Sequence, residues 1–497
     1  LRTGAQDETL SLYKGDIDMA DFGQFMIGGT WVASASGRSV PVHDPSTEDE
    51  IATLPLAGTA DVDRAVAAAR AAFDEWAESS VTDRLALIAR IAEVYDARAE
   101  DMAQATSREM GAPIDWARGA QVPAGAGHIR ATAKALEEMV FEAPLPGTPG
   151  TLIRHEAVGV CALITPWNWP MNQVTLKVIP ALAAGCTMVL KPSEIAPLSA
   201  HLFAEIMDEA GVPAGVFNLI HGDGRGAGDA LCRHPGVDFI SFTGSGRAGR
   251  EISHAAADNL TRVALELGGK GANIIFDDAP DSAIRTGARR CFNNTGQSCN
   301  APTRMLVSRA RYDAALDIAA QAARDTATAH AAEPGRHIGP LVSAAQWDKV
   351  QGLIEQGVAE GARLVAGGPG RPEGQNRGWF ARPTVFADVT NDMAIAQEEI
   401  FGPVLSVIAY DDEADAVRIA NDTAYGLTNY VQTADPDRIR RVARQLRSGM
   451  VEVNGKSFGP GAPFGGMKQS GHGREGGAFG LAEFLEVKAI SGWPSGT

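Results

Sequence analysis

The chain has 497 residues, 45% of them hydrophobic and 21% charged, with a formal net charge of −17. That balance predicts a globular protein of two or three domains, and the acidic charge argues against a nucleic-acid or anionic-membrane surface. No apolar run reaches the ~18 residues of a membrane span, and the longest, Val178 to Leu190, is broken by Pro180 and Gly185.

Residues 1–21 read as a loose tail without the basic start and compact apolar stretch of a secretory signal. Phe25 to Val32 and Val40 to Pro45 predict short strands joined by a Gly/Ser-rich turn. Val62, Ala65, Val66, Ala69 and Phe73 recur at helical spacing, so Ala60 to Ser79 is a helix. Another starts at Thr82 and runs through Leu85, Ile88, Ile91 and Tyr95. Two more follow, the later from about Ile114 to Met139, and this helical layer carries no nameable chemistry. Pro144 to Gly150 is a turn that leads into Thr151 to His155, one arm of a hairpin.

From Gly159 onward strand and helix alternate. Strands are predicted at Val160–Ile164, Thr187–Lys191, Val216–Ile220, Phe239–Phe242 and Val263–Leu267. Such alternation marks a parallel sheet covered by helices, which makes the chain an α/β protein. It sets Asn168, Lys191 with Glu194, and Ser245 just beyond strand carboxyl ends, where open α/β sheets bind ligands. Gly222-Asp223-Gly224-Arg225-Gly226 reads as a flexible strand–helix loop rather than a phosphate turn. Phe242-Thr243-Gly244-Ser245-Gly246 is better placed: an apolar strand, a glycine turn, then Ser245 as the N-cap of a helix.

A second alternating segment follows Lys270, with strands at Ala272–Phe276, Arg304–Val307, Trp379–Phe386, Val404–Tyr410 and Gly449–Val453. Helices are predicted at Asp281–Asn293, Arg311–Thr328, Lys349–Glu360, Ala414–Asn421 and Pro436–Leu446. The stretch Ala482 to Ile490 alternates enough to be a strand, and an unpaired edge there would be an association site.

Five cysteines (Cys161, Cys186, Cys232, Cys291, Cys299) lack any framework spacing, which fits a reducing, cytoplasmic setting. None is spaced with a histidine as a metal-ligand pair, so no catalytic metal is expected. Cys299 stands apart in Phe292-Asn293-Asn294-Thr295-Gly296-Gln297-Ser298-Cys299-Asn300, among amides and hydroxyls that suit a reactive thiolate. The plain alternative is a free cysteine in an ordinary loop. Glu266, flanked by leucines and followed by Gly268-Gly269-Lys270, is a candidate general base raised by desolvation, or else a paired strand-end carboxylate. In Thr165-Pro166-Trp167-Asn168-Trp169-Pro170 an amide is clamped rigidly enough to serve as an oxyanion donor.

Together these stretches resemble the aldehyde dehydrogenase superfamily. Its motifs recur in order: the Asn168 stretch, Lys191-Pro192-Ser193-Glu194, Phe242 to Ser245, Leu265 to Lys270, Gly296 to Cys299, Glu398 to Pro403, and Pro463-Phe464-Gly465-Gly466. The resemblance implies a Rossmann-like NAD-binding domain from segments 22–135 and 152–265. It also implies an α/β catalytic domain over 266–465 and a small β oligomerisation arm from 136–151 and 466–497. The implied reaction is NAD(P)-dependent oxidation of an aldehyde to a carboxylic acid. Cys299 is the implied nucleophile, Asn168 and the Cys299 N–H hold the oxyanion, and Glu266 activates the hydrolytic water. Lys177 and Glu475 match a proton-relay pair, with a structural ion pair as the alternative. Cofactor contacts implied are Ile164, Pro166, Trp167, Lys191, Ser193, Glu194, Gly224, Phe242, Gly244, Ser245, Leu267, Glu399 and Phe401. Gly246 stands where many members carry threonine. A carboxylate at Glu194 binds ribose hydroxyls and repels a 2′-phosphate, which favours NAD over NADP.

The substrate tunnel implied by the resemblance is lined by Trp169, Asn172, Gln173, Leu176, Asn293, Ser298, Asn300, Phe458 and Phe464. Its amides favour polar or aromatic aldehydes over long alkyl chains, and no arginine among them supplies a carboxylate clamp. Glu486, Arg474 and Arg262 match positions near a subunit contact, so a homodimer or homotetramer is expected. A CoA-acylating relative generally lacks the glutamate, so Glu266 argues against that variant. Retention of Cys299, Glu266, Asn168 and Glu399 argues against a silent scaffold.

Overall fold

A computed structural model describes residues 22–494; the loose tail expected over 1–21 lies outside them. The first sheet runs Gly471–His472, Arg262–Glu266, Phe239–Thr243, Val160–Ile164, Thr187–Lys191, Phe217–Leu219, Gln24–Ile27, Thr30–Ala33. From Arg262–Glu266 to Phe217–Leu219 the strands are parallel. The order of the chain reverses between Val160–Ile164 and Phe239–Thr243, the mark of a doubly wound, Rossmann-like sheet. Cys161 and Leu163 face a core shared with the N-terminal helices. Val160, Ala162 and Ile164 face another, built with helices Thr59–Ala77 and Gly246–Ala257. Burial on both faces is why these strands read as continuous apolar runs.

The second sheet runs Arg363–Ala366, Thr384–Ala387, Val404–Tyr410, Arg304–Ser308, Ala272–Ile275, Thr428–Gln432, Met450–Val453. All its pairs are parallel except the first. Ile274 and Leu306 face one core, Ile275, Met305 and Val307 the other. A three-stranded antiparallel sheet joins Leu485–Ser491, Thr151–Ala157 and Glu142–Pro144. Leu485–Ser491 is therefore paired along one side within the chain, and its other edge has no strand partner among the described residues.

Several boundaries differ from the sequence reading. Phe25 to Val32 is not one strand but the hairpin Gln24–Ile27 and Thr30–Ala33, turned by Gly28 and Gly29. Of the expected Val40 to Pro45 strand, only Val40 to His43 is strand, within Arg38–His43, which pairs with Glu50–Leu56. The expected Ala482–Ile490 strand begins at Leu485, because Gly477–Glu483 is helical. Trp379 to Phe386 is a strand only from Thr384. Gly224–Gly228 is not a flexible loop: it forms a π-helical turn capped by the Asp223 side chain. The sequence reading also missed Thr428–Gln432, a fully buried strand beside Ala272–Ile275. Its polar residues hide it, and Asn429 Oδ1 pairs with the Ala272 N–H at 2.9 Å. Among the described residues no helix is long and apolar enough to cross a membrane.

Candidate active site

The register of the first sheet lines up the residues singled out from the sequence. Lys191 lies opposite Ile164, Ile164 opposite Phe242, and Thr243 opposite Glu266. Strands lie ~4.8 Å apart, so Lys191 and Glu266 are separated along this edge by roughly 14 Å. Above the reversal point a cavity of about 180 Å³ is walled by Pro166, Trp167, Asn168, Gln173, Gly244, Ser245, Glu266, Leu267, Cys299, Glu399 and Phe401. Thus Cys299, Glu266 and Asn168, which lie far apart in sequence, share one chamber.

The Cys299 loop is held by side-chain amides. After helix Asp281–Phe292, Asn294 and Thr295 adopt left-handed φ of 53° and 57°. Such backbone costs energy in non-glycine residues and persists only when the surroundings impose it. Asn294 Nδ2 donates to the Asn168 carbonyl at 3.0 Å and the Gln297 carbonyl at 3.1 Å, while its Oδ1 accepts from Gln121 Nε2 at 3.0 Å. The Thr295 hydroxyl donates to the Gly339 carbonyl, and Gln297 Oε1 accepts from the Val342 N–H at 2.9 Å. Asn168 Nδ2 donates to the Gln297 carbonyl at 3.0 Å, which uses one of its two amide hydrogens and leaves the other for an oxyanion. Burial pushes the Cys299 thiol well above its ordinary value, and the carboxylates of Glu399 and Glu266 push it further.

Glu266 is 4% exposed, and neither carboxylate oxygen has a hydrogen-bond partner among the described residues. Desolvation raises its pKa well above the carboxylate range; Glu475 raises it further, while Lys177 and Arg474 oppose the rise. A Cβ on Gly465 would lie 2.6 Å from Glu266 Oε1, so the glycine in the Pro463–Gly466 motif makes room for this carboxylate. Lys177 Nζ donates to Glu475 Oε1 at 2.6 Å and to the Ser241 hydroxyl at 3.0 Å. The backbones of Phe464 and Glu475 bond to each other reciprocally at 2.8 Å.

At the far wall, Glu399 Oε1 accepts from the Gly269 N–H at 3.0 Å, and burial raises its carboxyl pKa. Phe401 meets Trp167 edge-on at 5.3 Å and carries a left-handed φ of 59°. Gln346 Nε2 pins that strained backbone by donating to the Phe401 carbonyl at 2.8 Å. Further along the edge, Lys191 Nζ donates to the carbonyls of Pro192 and Gly222 and lies 3.8 Å from Glu194 Oε2. Burial lowers the Lys191 pKa, and the charges of Glu194 and Asp223 counter it.

Ser245 caps the helix Gly246–Ala257, its hydroxyl accepting from the Ala248 N–H. That N-terminus opens onto the cavity, and the buried Thr243 hydroxyl beside it has no partner among the described residues. Helix N-terminal amides at a sheet reversal point, with a carboxylate at each end of the groove, fit a dinucleotide's pyrophosphate and two riboses.

The profile described as "Aldehyde dehydrogenase family" matches residues 31–490. The chain belongs to the aldehyde dehydrogenase family. A 3-succinoylsemialdehyde-pyridine dehydrogenase from Pseudomonas sp is 51% identical over 477 residues, 96% of this chain and 99% of that protein. The crystal structure of an aldehyde dehydrogenase from Bartonella henselae is 55% identical with a TM-score of 0.94, covering 95% of this chain and 99% of that one. Aldehyde dehydrogenase C from Pseudomonas syringae, solved as a cysteine-to-alanine variant with NAD+ and octanal, has 49% identity and a TM-score of 0.94, covering 97% and 99%.

In this aldehyde dehydrogenase the tunnel residues expected from the sequence take different partners. Gln173 walls the Cys299 cavity, whereas Asn293 walls a cleft on the other side of the nucleophile loop's start, beside Trp116. Ser298 Oγ accepts from Trp169 Nε1 at 2.9 Å, and Asn172 Oδ1 meets His128 Nε2 at 2.9 Å. Asn300 gives its carbonyl to the Tyr430 hydroxyl. Leu176 is buried, and Phe458 is 43% exposed. The sequence reading missed Gln121, Gln346 and Lys349. Gln346 and Lys349 wall the cavity from helix Ala344–Ala359, and nothing local marks a helical glutamine or lysine as part of a site.

Proposed function

We propose that this chain oxidises an aldehyde to the carboxylic acid with NAD, through a thioester on Cys299 that water hydrolyses with Glu266 as base. The observation that carries it is the single chamber shared by Cys299, Glu266 and Asn168. Because the Glu266 and Glu399 carboxylates repel a thiolate, transfer of the Cys299 proton to Glu266 removes one of the charges that oppose attack. The sulfur then adds to the carbonyl carbon, and the oxyanion is held by the free Asn168 amide hydrogen and the Cys299 N–H. Losing one such donor costs ~3–4 kcal/mol of barrier. Bound NAD, held along Lys191, Glu194, Ser245 and Glu399, supplies the hydride acceptor. Glu266, freed of its proton, draws one from water, which cleaves the thioester. The buried Lys177–Glu475 pair beside it is the route outward for that proton.

NAD is supported by the half-buried Glu194 near Lys191 and by the cofactor in the Pseudomonas syringae relative. The five free thiols support a cytoplasmic setting. We place the cofactor domain at 22–135 and 158–265, the catalytic domain at 266–465, and the arm at 136–157 and 466–494, since Thr151–Ala157 pairs with the arm strands rather than with the cofactor sheet. The amides around Cys299 favour polar or aromatic aldehydes, at ~1–3 kcal/mol for each group left unpaired by an alkyl chain. The octanal held by the Pseudomonas syringae relative makes a long alkanal the necessary comparison.

Rapid mixing of Glu266→Gln with NAD and aldehyde should give a burst of about one NADH per active site, then slow turnover. Cys299→Ala should give none. A Glu266→Gln variant that binds NAD yet shows neither burst nor slow turnover would remove Glu266 from deacylation. Turnover in the wild type that requires added CoA would replace hydrolysis with thiolysis.

A further inference from the structure

A cleft of about 400 Å³ beside the nucleophile loop is walled by Trp116, Arg289, Asn293, Arg336 and the carboxylates Asp115 and Asp325. A ring contact and a hydrogen bond run from its Trp116 to the nucleophile loop. Trp116 meets Trp169 edge-on, ring centroids 6.0 Å apart at 68°. Trp169 Nε1 in turn donates to the hydroxyl of Ser298, the neighbour of Cys299.

The polar groups of the cleft are unequally satisfied. Asp115 already accepts from the Gly335 N–H at 2.7 Å, with Arg118 at 3.9 Å, and Asp325 from Gln321 Nε2 at 2.7 Å. Arg289, Asn293 and Arg336 are exposed, and their side chains have no hydrogen bond or ion pair among the described residues. The cleft therefore offers free donors. A guanidinium has only donors, in a fork that matches a carboxylate, and indole edges and faces suit a flat ring. Reading the tunnel from sequence found no arginine. The fold brings in Arg289 from helix Asp281–Phe292 and Arg336 from the segment before Ile338.

We propose that this cleft receives the far end of the aldehyde, and that Arg289 and Arg336 select flat aromatic substrates ending in a carboxylate. The inference rests on the reaction proposed above and names its substrate class. Trp116, the indole that walls the cleft, packs on the ring while the guanidiniums hold the anion, so the preference appears in KM.

The test compares kcat/KM for 4-carboxybenzaldehyde and 3-(4-formylphenyl)propanoate with that for 4-ethylbenzaldehyde and octanal, using wild type and Arg289→Gln/Arg336→Gln. The carboxylates should be the better substrates, and the double variant should lose roughly tenfold in kcat/KM for them through KM. Neutral aldehydes should be unchanged, and added salt should weaken the wild-type preference. The Arg289→Lys/Arg336→Lys variant should retain part of it. A wild type that takes the neutral aldehydes equally well, or a variant that loses all four substrates alike, overturns the inference while leaving the reaction standing. Absence of NADH with every aldehyde overturns both.

Discussion

Lys177 opposes the rise that burial and Glu475 impose on the Glu266 pKa, and Lys177→Met tests that coupling. The Lys177 and Glu475 side chains are 1% and 9% exposed and 2.6 Å apart. Removing the ammonium leaves Glu475 buried and uncompensated, a loss of about 3–5 kcal/mol. The double variant Lys177→Met/Glu475→Leu removes both charges and should recover most of that loss. The same substitutions act on Glu266 with opposite signs. Lys177 lowers the Glu266 pKa and Glu475 raises it, against a larger desolvation and with Arg474 and Glu483 also contributing. A base works only when deprotonated, so turnover falls on the acid side through the Glu266 pKa. Lys177→Met should move that fall to higher pH and Glu475→Gln to lower pH. Steady-state NADH production after the burst, followed against pH with an aldehyde whose deacylation limits turnover, reads the shift. Thermal unfolding of the same variants reads the stability cycle. Shifts of the same sign in both variants, or none in either, would refute the electrostatic coupling and leave the pair as a structural bridge.

Gly268→Ala places a Cβ against the Glu399 carboxylate, whose Cδ would lie 2.6 Å away. The variant should raise the KM for NAD at least tenfold, measured at saturating aldehyde, with thermal stability little changed. Glu194→Gln should lower the KM for NADP more than that for NAD; a wild type that already uses both equally would end the repulsion argument. The edge of Leu485–Ser491 that has no strand partner among the described residues, with Arg262 and Glu486 paired at 2.8 Å beside it, calls for at least a dimer. A fully active monomer by light scattering at micromolar concentration would refute that.

Much of this protein is legible in the chain because burial on both faces leaves an apolar signature. Val160–Ile164, Thr187–Lys191 and Phe239–Thr243 are such strands, and the glycine turn before Ser245 marks a helix N-terminus without any tertiary information. Cys299 and Glu266 were also visible, since a thiol among amides and a carboxylate among leucines contradict their surroundings. Thr428–Gln432 was hidden because it is polar in sequence, and the partners of Asn429 and Gln432, at Ala272 and Asn273, are distant along the chain. Gln346 and Lys349 were hidden for the complementary reason: ordinary helical residues become part of a site only when helix Ala344–Ala359 packs beside Phe401. Local sequence thus determined most of the elements, the likeness to a family and the candidate reactive groups. Only the tertiary fold decided the Glu266–Lys177–Glu475 electrostatics and the arginines of the outer cleft, because charge acts through space and these groups lie far apart along the chain.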